Sequence, residues 1–178
     1  MEPTLRDVRY GPHERNVLDV YRASSVSATP VFLWIHGGGF HSGDKSARGP
    51  SLVPLLSSLG ISLVTTNYRL SQHAIYPAPY HDCRRALQFV RHHAASWGLD
   101  GSRIAVGGGS AGAGMSLWLA FHPDMADSES DDPVERESTR PLCVYTSDGQ
   151  TSYDPRFIQK HIGGKAHHTV AVGDGPVD

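Results

Sequence analysis

The stretch Gly107-Gly108-Gly109-Ser110-Ala111-Gly112-Ala113-Gly114 decides how the rest of this sequence is read. It follows the apolar Ile104-Ala105-Val106 and precedes Met115-Ser116-Leu117-Trp118-Leu119-Ala120-Phe121. A short strand at 103–106, a turn at 107–109 and a helix at 110–121 are therefore predicted. Within it, Gly108-Gly109-Ser110-Ala111-Gly112 is a G-x-S-x-G. Small residues on both flanks are what a strained strand-to-helix turn needs if a serine hydroxyl is to stand exposed above a sheet edge. The uncharged run 104–121 has the length of a membrane span, but its glycines and serines make the first half too polar and flexible for one. The same glycines also fit a dinucleotide fingerprint, Gly107-x-Gly109-x-x-Gly112. That reading needs an acidic residue ending the next strand about 20 residues on, whereas 127–132 lie in a charged loop.

Upstream, Pro30-Val31-Phe32-Leu33-Trp34-Ile35 is a continuous apolar run that stops at His36-Gly37-Gly38-Gly39-Phe40. Such a run suits a central strand buried on both faces that ends in a functional loop. Parallel sheets gather the C-terminal ends of their strands along one edge, so this loop and the serine turn can meet. A tri-glycine loop can aim successive backbone N–H groups at one point, as stabilising an acyl-transfer oxyanion requires, and the Ala111 N–H at the helix start would add a third donor. Losing one such donor typically costs about 3 kcal/mol of transition-state stabilisation.

The remaining pattern supplies the frame. Residues 5–10 and 17–22 read as an antiparallel hairpin of short, polar, edge-type strands joined by a turn-rich link. A helix is predicted at 51–59 with Gly60 as its stop, a buried strand at 61–68, and a helix at 80–97 ended by Gly98. The second helix carries an apolar stripe (Cys83, Ala86, Leu87, Val90, Ala94, Trp97) opposite Arg84, Arg85, Arg91 and His92. Residues 122–140 hold seven acidic side chains and read as a solvated acidic loop. A further strand is expected at 141–146, a turn of helix at 156–162 and an irregular tail at 163–178. Strand and helix alternate from 30 to 146, which argues for one α/β domain spanning 1–178, a mostly parallel sheet with helices on both faces led in by the hairpin.

Composition narrows the function. Lys plus Arg number 16 against 18 Asp plus Glu, a formal charge of −2, so nothing provides the basic excess that nucleic acid or an anionic membrane needs. Cys83 and Cys143 are the two cysteines, and neither has the spacing of a disulfide framework or a zinc site. No metal and no cofactor are expected. The N-terminus has acidic residues and no apolar core, so a secretory signal is not read there and a cytoplasmic address is the default expectation.

Four motifs occur in order: His36-Gly37-Gly38-Gly39-Phe40; Asn67-Tyr68-Arg69-Leu70; Tyr76-Pro77-Ala78-Pro79 leading into Asp82; and Arg103-Ile104-Ala105-Val106 leading into the Ser110 turn. Over residues 15–146 the chain resembles the α/β-hydrolase esterases of the hormone-sensitive-lipase-like and feruloyl-esterase-like groups. The resemblance implies Ser110 as nucleophile, with Gly38, Gly39 and Ala111 as the oxyanion hole. It makes His36 a structural hydrogen-bonder of the loop and Asp82 a helix-start residue. Gly109 departs from the acidic residue that many esterases of the first group carry before the serine.

The family order is serine, acid, histidine, and 68 residues follow Ser110, so the last two strands of the fold are expected to be missing. Asp148 and Asp154 precede His161, His167 and His168. These read as loop and surface residues, which leaves the acid and base unassigned. The leading expectation is a serine hydrolase acting on small-molecule carboxylic esters through an acyl-enzyme. The alternative is a catalytically weak fragment of the same fold that binds or forms homo-oligomers through an exposed sheet edge at Leu142-Cys143-Val144-Tyr145.

Overall fold

Val31, Leu33 and Ile35 alternate with Phe32 and Trp34 along one strand, and both sets are packed, so the sheet must carry cover on both faces. The structure, a computed structural model, describes residues 2–47, 49–149 and 152. Its elements in chain order are β1 (Leu5–Arg9), β2 (Val17–Tyr21), β3 (Thr29–Ile35), α1 (Val53–Ser58), β4 (Ser62–Thr66), α2 (Ala78–His93), β5 (Leu99–Gly109), α3 (Ala111–Phe121) and β6 (Val144–Ser147). They form one six-stranded sheet in the order β1-β2-β4-β3-β5-β6. The pairs β1/β2 and β2/β4 are antiparallel, and the rest of the sheet is parallel.

On one face, Val31, Leu33 and Val64 meet Ala86, Leu87 and Val90 of α2, while Ile35 meets Ala111 and Met115 of α3. Full burial of Leu87 and Val90 contributes about 2 kcal/mol each. The other face packs Trp34 and Leu63 on Val53 of α1. No helix among the described residues is long and apolar enough to cross a membrane.

Several expectations shift. The hairpin forms, but only β1 is an edge; β2 is interior, because its polar residue Asp19 is buried on Lys45 rather than turned to solvent. Gly107, Gly108 and Gly109 are strand rather than turn, paired with Tyr145, Thr146 and Ser147 of β6. The strand-to-helix turn is thus confined to Ser110, and of the glycines shared with a dinucleotide fingerprint Gly107 and Gly109 lie in β5 and Gly112 in α3. Helix α2 starts at Ala78 and ends at His93, with a separate 3-10 turn at Ala95–Trp97 closed by Gly98 at φ 68°. Helix α1 begins only after a 3-10 turn at Gly49–Leu52.

The acidic segment 122–140 is a loop that is fastened to α2. Gln88 Nε2 donates to the Glu135 and Glu137 carbonyls at 3.0 and 2.8 Å. Arg91 donates to those of Ser138 and Arg140 at 2.9 and 2.8 Å. Arg85 pairs with Asp132 at 2.7 Å, and Val134 and Thr139 are buried. The basic face of α2 and the acidic loop are therefore two sides of one contact. The turn expected at 156–162, the tail 163–178 and the residues Asp154, His161, His167 and His168 lie outside the described residues.

Candidate active site

In register, Ile35 of β3 lies beside Gly108 of β5, so both strands deliver their following loops to the same edge. Ser110 is exposed and adopts φ 53°, ψ −120°, a left-handed conformation that a non-glycine residue holds only under constraint from its surroundings. That constraint is visible. The Ser110 amide donates to the Ser147 carbonyl at 3.0 Å and its carbonyl accepts from the Gly114 amide at 3.2 Å. A Cβ on Gly108 would meet the backbone of Gly112 and Ile35, and one on Gly112 would overlap the Ile35 carbonyl. Glycine at both positions lets the start of α3 press onto the end of β3 and lifts the serine clear of the sheet.

The glycine loop lies against this turn. A Cβ on Gly37 would stand 2.7 Å from the Gly109 carbonyl oxygen and 3.3 Å from the Ser110 Cβ. Gly38 and Gly39 are exposed at φ 118° and 59°, and the Gly38 carbonyl is turned back to accept from the His41 and Ser42 amides at 3.1 Å each. Ala111 is the first residue of α3, where an N–H has no partner within the helix. A cleft of about 240 Å³ opens beside the serine, with Trp34, His36, Gly37, Asp44, Ser110 and Asp148 among its walls.

His36 is a buried structural residue. Its Nδ1 lies 2.7 Å from the Gly37 carbonyl, and the Arg15 guanidinium is 3.3 Å from its Nε2. Its ring stacks on Tyr68 at 4.3 Å, and the Tyr68 hydroxyl donates to the His36 carbonyl at 2.9 Å. Burial, with the Arg15 cation adding to it, lowers its pKa to about 4. A ring so occupied and so weakly basic is no general base, in line with its expected structural role.

Asp82 sits in the second turn of α2 rather than at its start. It accepts from the Arg69 amide at 2.9 Å and from the Arg69 guanidinium at 2.9 and 2.6 Å. Its work is to clamp the Asn67-Tyr68-Arg69-Leu70 turn, a fork-on-carboxylate contact. Asp44 is opposed by burial, but hydrogen bonds from Ser46 and Asn67 overcome it and hold its pKa at about 2, so the cleft carries a fixed negative charge.

Among the described residues no histidine bonds the Ser110 hydroxyl, and no cluster of three or more His, Cys, Asp or Glu could hold a metal. Asp148, the described member of the acid and histidine series, is exposed at the end of β6 with φ 55°. Sequence reasoning missed Arg15, Lys45 and Asp44. Arg15 stood in a turn-rich link far from the glycines, and no periodic signal connects it to them. Lys45 buries its ammonium between Asp7 at 2.8 Å and Asp19 at 2.7 Å, and its amide donates to Asn67 Oδ1 at 2.6 Å, which fastens the far end of the glycine loop to the hairpin.

Comparison with known proteins bears on this geometry. The BD-FAE family model matches residues 18–145. The protein named "Probable carboxylic ester hydrolase LipM" of Mycobacterium tuberculosis is 36% identical over 122 residues, 66% of this chain and 28% of that protein. "Esterase LipQ" of the same organism is 33% identical over 65% of this chain and 28% of its own length. The crystal structure of an acetyl ester-xyloside bifunctional hydrolase from Caldicellulosiruptor lactoaceticus superposes with a TM-score of 0.67 at 35% identity, covering 73% of this chain and 47% of that one. The chain thus spans under a third of these curated relatives and about half of the solved one. A family match over more than half of its residues places this chain in the BD-FAE family, and its mostly parallel sheet with helices on both faces has the α/β-hydrolase fold.

Proposed function

We propose that this chain carries the nucleophile and the oxyanion hole of a serine carboxylesterase acting on small-molecule esters. The observation that carries the reading is the exposed Ser110 held at φ 53° between β5 and α3, with the Gly37 backbone against it. In the reaction the Ser110 Oγ would attack the ester carbonyl carbon while a general base takes its proton. The carbonyl oxygen would gather negative charge facing the Gly38, Gly39 and Ala111 N–H groups. Collapse would expel the alcohol, which takes up the proton, and water would then release the acid from the acyl-serine. Backbone donors suit this role because they are fixed before the charge develops and need no reorganisation.

The acid and base stay unassigned; Asp44 and Asp148 are the carboxylates that line the cleft with Ser110. Short acyl groups are proposed because the described cleft is small. We further propose a cytoplasmic address and self-pairing along the β6 edge, where Leu142 and Tyr145 are 67% and 61% exposed. Hydrolysis of p-nitrophenyl acetate, butyrate and octanoate by the wild type and Ser110→Ala tests the reading. It predicts turnover that falls with acyl length and vanishes in the variant; equal rates for both proteins would overturn it.

A further inference from the structure

We propose that Arg15, in the link between β1 and β2, is a positioning residue that holds the 36–43 loop in shape, acting through His36 and the Gly43 carbonyl. Its importance for catalysis rests on reading that loop as the oxyanion hole. The Arg15 guanidinium reaches three acceptors, two in the 36–43 loop and one at Tyr68. Nε donates to the Tyr68 carbonyl at 2.8 Å, and one terminal nitrogen lies 2.9 Å from the Gly43 carbonyl and 3.3 Å from His36 Nε2. A guanidinium has no lone pair to offer, so His36 Nε2 must be the acceptor and the ring proton must sit on Nδ1. Nδ1–H then donates to the Gly37 carbonyl at 2.7 Å. One side chain therefore selects the tautomer that ties down the start of the loop and, with the same nitrogen, holds its end.

The two ends have little freedom otherwise. Gly43 is at φ 105°, and a Cβ there would overlap the Gly37 carbonyl and the His36 ring, so the loop closes on itself around His36. Between the ends, the His41 and Ser42 amides converge on the Gly38 carbonyl, and Gly38 and Gly39 face outward. Without the guanidinium, His36 Nε2 loses its partner in a partly buried setting, and the exposed Gly43 carbonyl loses the donor that ties it to the same side chain. The ring is then free to take the other tautomer, which cannot donate to Gly37. The fork geometry matters as well as the charge, since Lys at this position could not reach Tyr68 and Gly43 together.

The test compares wild type, Arg15→Ala and Arg15→Lys. Nitrogen-15 spectra of labelled histidine should show a protonated Nδ1 and an acceptor Nε2 for His36 in the wild type, and tautomer mixing in Arg15→Ala. Amide exchange of His41 and Ser42 should be about tenfold faster in Arg15→Ala, with β5 and α3 amides unchanged. Acylation of Ser110 by a p-nitrophenyl ester should slow by about 100-fold, mostly in kcat rather than KM, the scale of a misplaced reacting group. Millimolar guanidinium should restore part of the rate in Arg15→Ala, and Arg15→Lys should recover less than half of it on a logarithmic scale. An unchanged His36 tautomer or unchanged His41 and Ser42 exchange in Arg15→Ala overturns the proposal. So does loss of β5 and α3 protection along with the loop, which would make Arg15 a general fold residue. If the wild type does not acylate at all, the esterase reading fails by itself, and the exchange and tautomer data still decide whether Arg15 holds the loop.

Discussion

Replacing Gly37 by alanine asks how closely the glycine loop must approach the serine turn. The new Cβ would start 2.7 Å from the Gly109 carbonyl oxygen, whereas ordinary contact begins at 3.4 Å, so loop and turn must part by about 0.7 Å. The neighbour is backbone, held by the pairing of Gly109 with Ser147, and cannot rotate away. Overpacking of this kind costs about 1–3 kcal/mol of stability. A displacement approaching 1 Å between reacting groups can cost on the order of 100-fold in rate, so 0.7 Å should lower the labelling rate of Ser110 by about 10- to 100-fold. The assay is the second-order rate of fluorophosphonate labelling, followed by intact mass, beside urea unfolding of the same samples. Gly39→Ala is the contrast: nothing lies within 4 Å of its Cβ, but φ is 59°, so about 1 kcal/mol of backbone strain is expected without displacement of the turn. A Gly37→Ala protein that labels within twofold of wild type with an unchanged midpoint would refute the reasoning.

Other consequences follow from the same network. His36 has a folded pKa of about 4 against an ordinary 6.5, so between those values the unfolded chain takes up a proton that the folded one refuses. The His36 contribution to stability should therefore fall by about 3 kcal/mol as pH drops from 6.5 to 4 and level off below 4, where the depressed Asp44 carboxylate begins to take up its own proton; urea midpoints across this range, with a slope in His36→Gln shallower than in the wild type, check it. Lys45→Met leaves the Asp19 carboxylate, 2% exposed, without its cation and should cost about 3 kcal/mol in urea unfolding, most of it recovered when Asp19→Leu is added. Arg91→Ala removes the donors to the Ser138 and Arg140 carbonyls and should speed limited proteolysis within 122–140 several-fold while leaving Ser110 labelling unaltered.

The parts of this molecule that were legible in its sequence are those encoded by periodicity or by glycine. The buried run ending at Ile35 was readable as a central strand because a strand covered on both faces must be apolar at every position. The Ser110 turn and the tri-glycine loop were readable because close backbone approach excludes other residues, as the overlap at Gly112 with Ile35 shows. What escaped were the polar contacts that join distant segments. Asp19 made β2 look like an edge because its partner Lys45 is 26 residues away. Arg15 looked like a turn residue because its acceptors are 21, 28 and 53 residues off. The acidic loop was read as solvated, whereas Arg85 of α2 pairs with its Asp132 and Arg91 holds its Ser138 carbonyl. Gly107 to Gly109 were read as a turn from composition, and β6 pairing made them strand.

If Ser110 is a nucleophile poised against backbone donors, intact-mass analysis after reaction with a fluorophosphonate, wild type beside Ser110→Ala, should show one stoichiometric adduct, mapped to Ser110 by peptide analysis and absent from the variant. A folded wild-type protein that stays unlabelled, or that labels equally in Ser110→Ala, would contradict it.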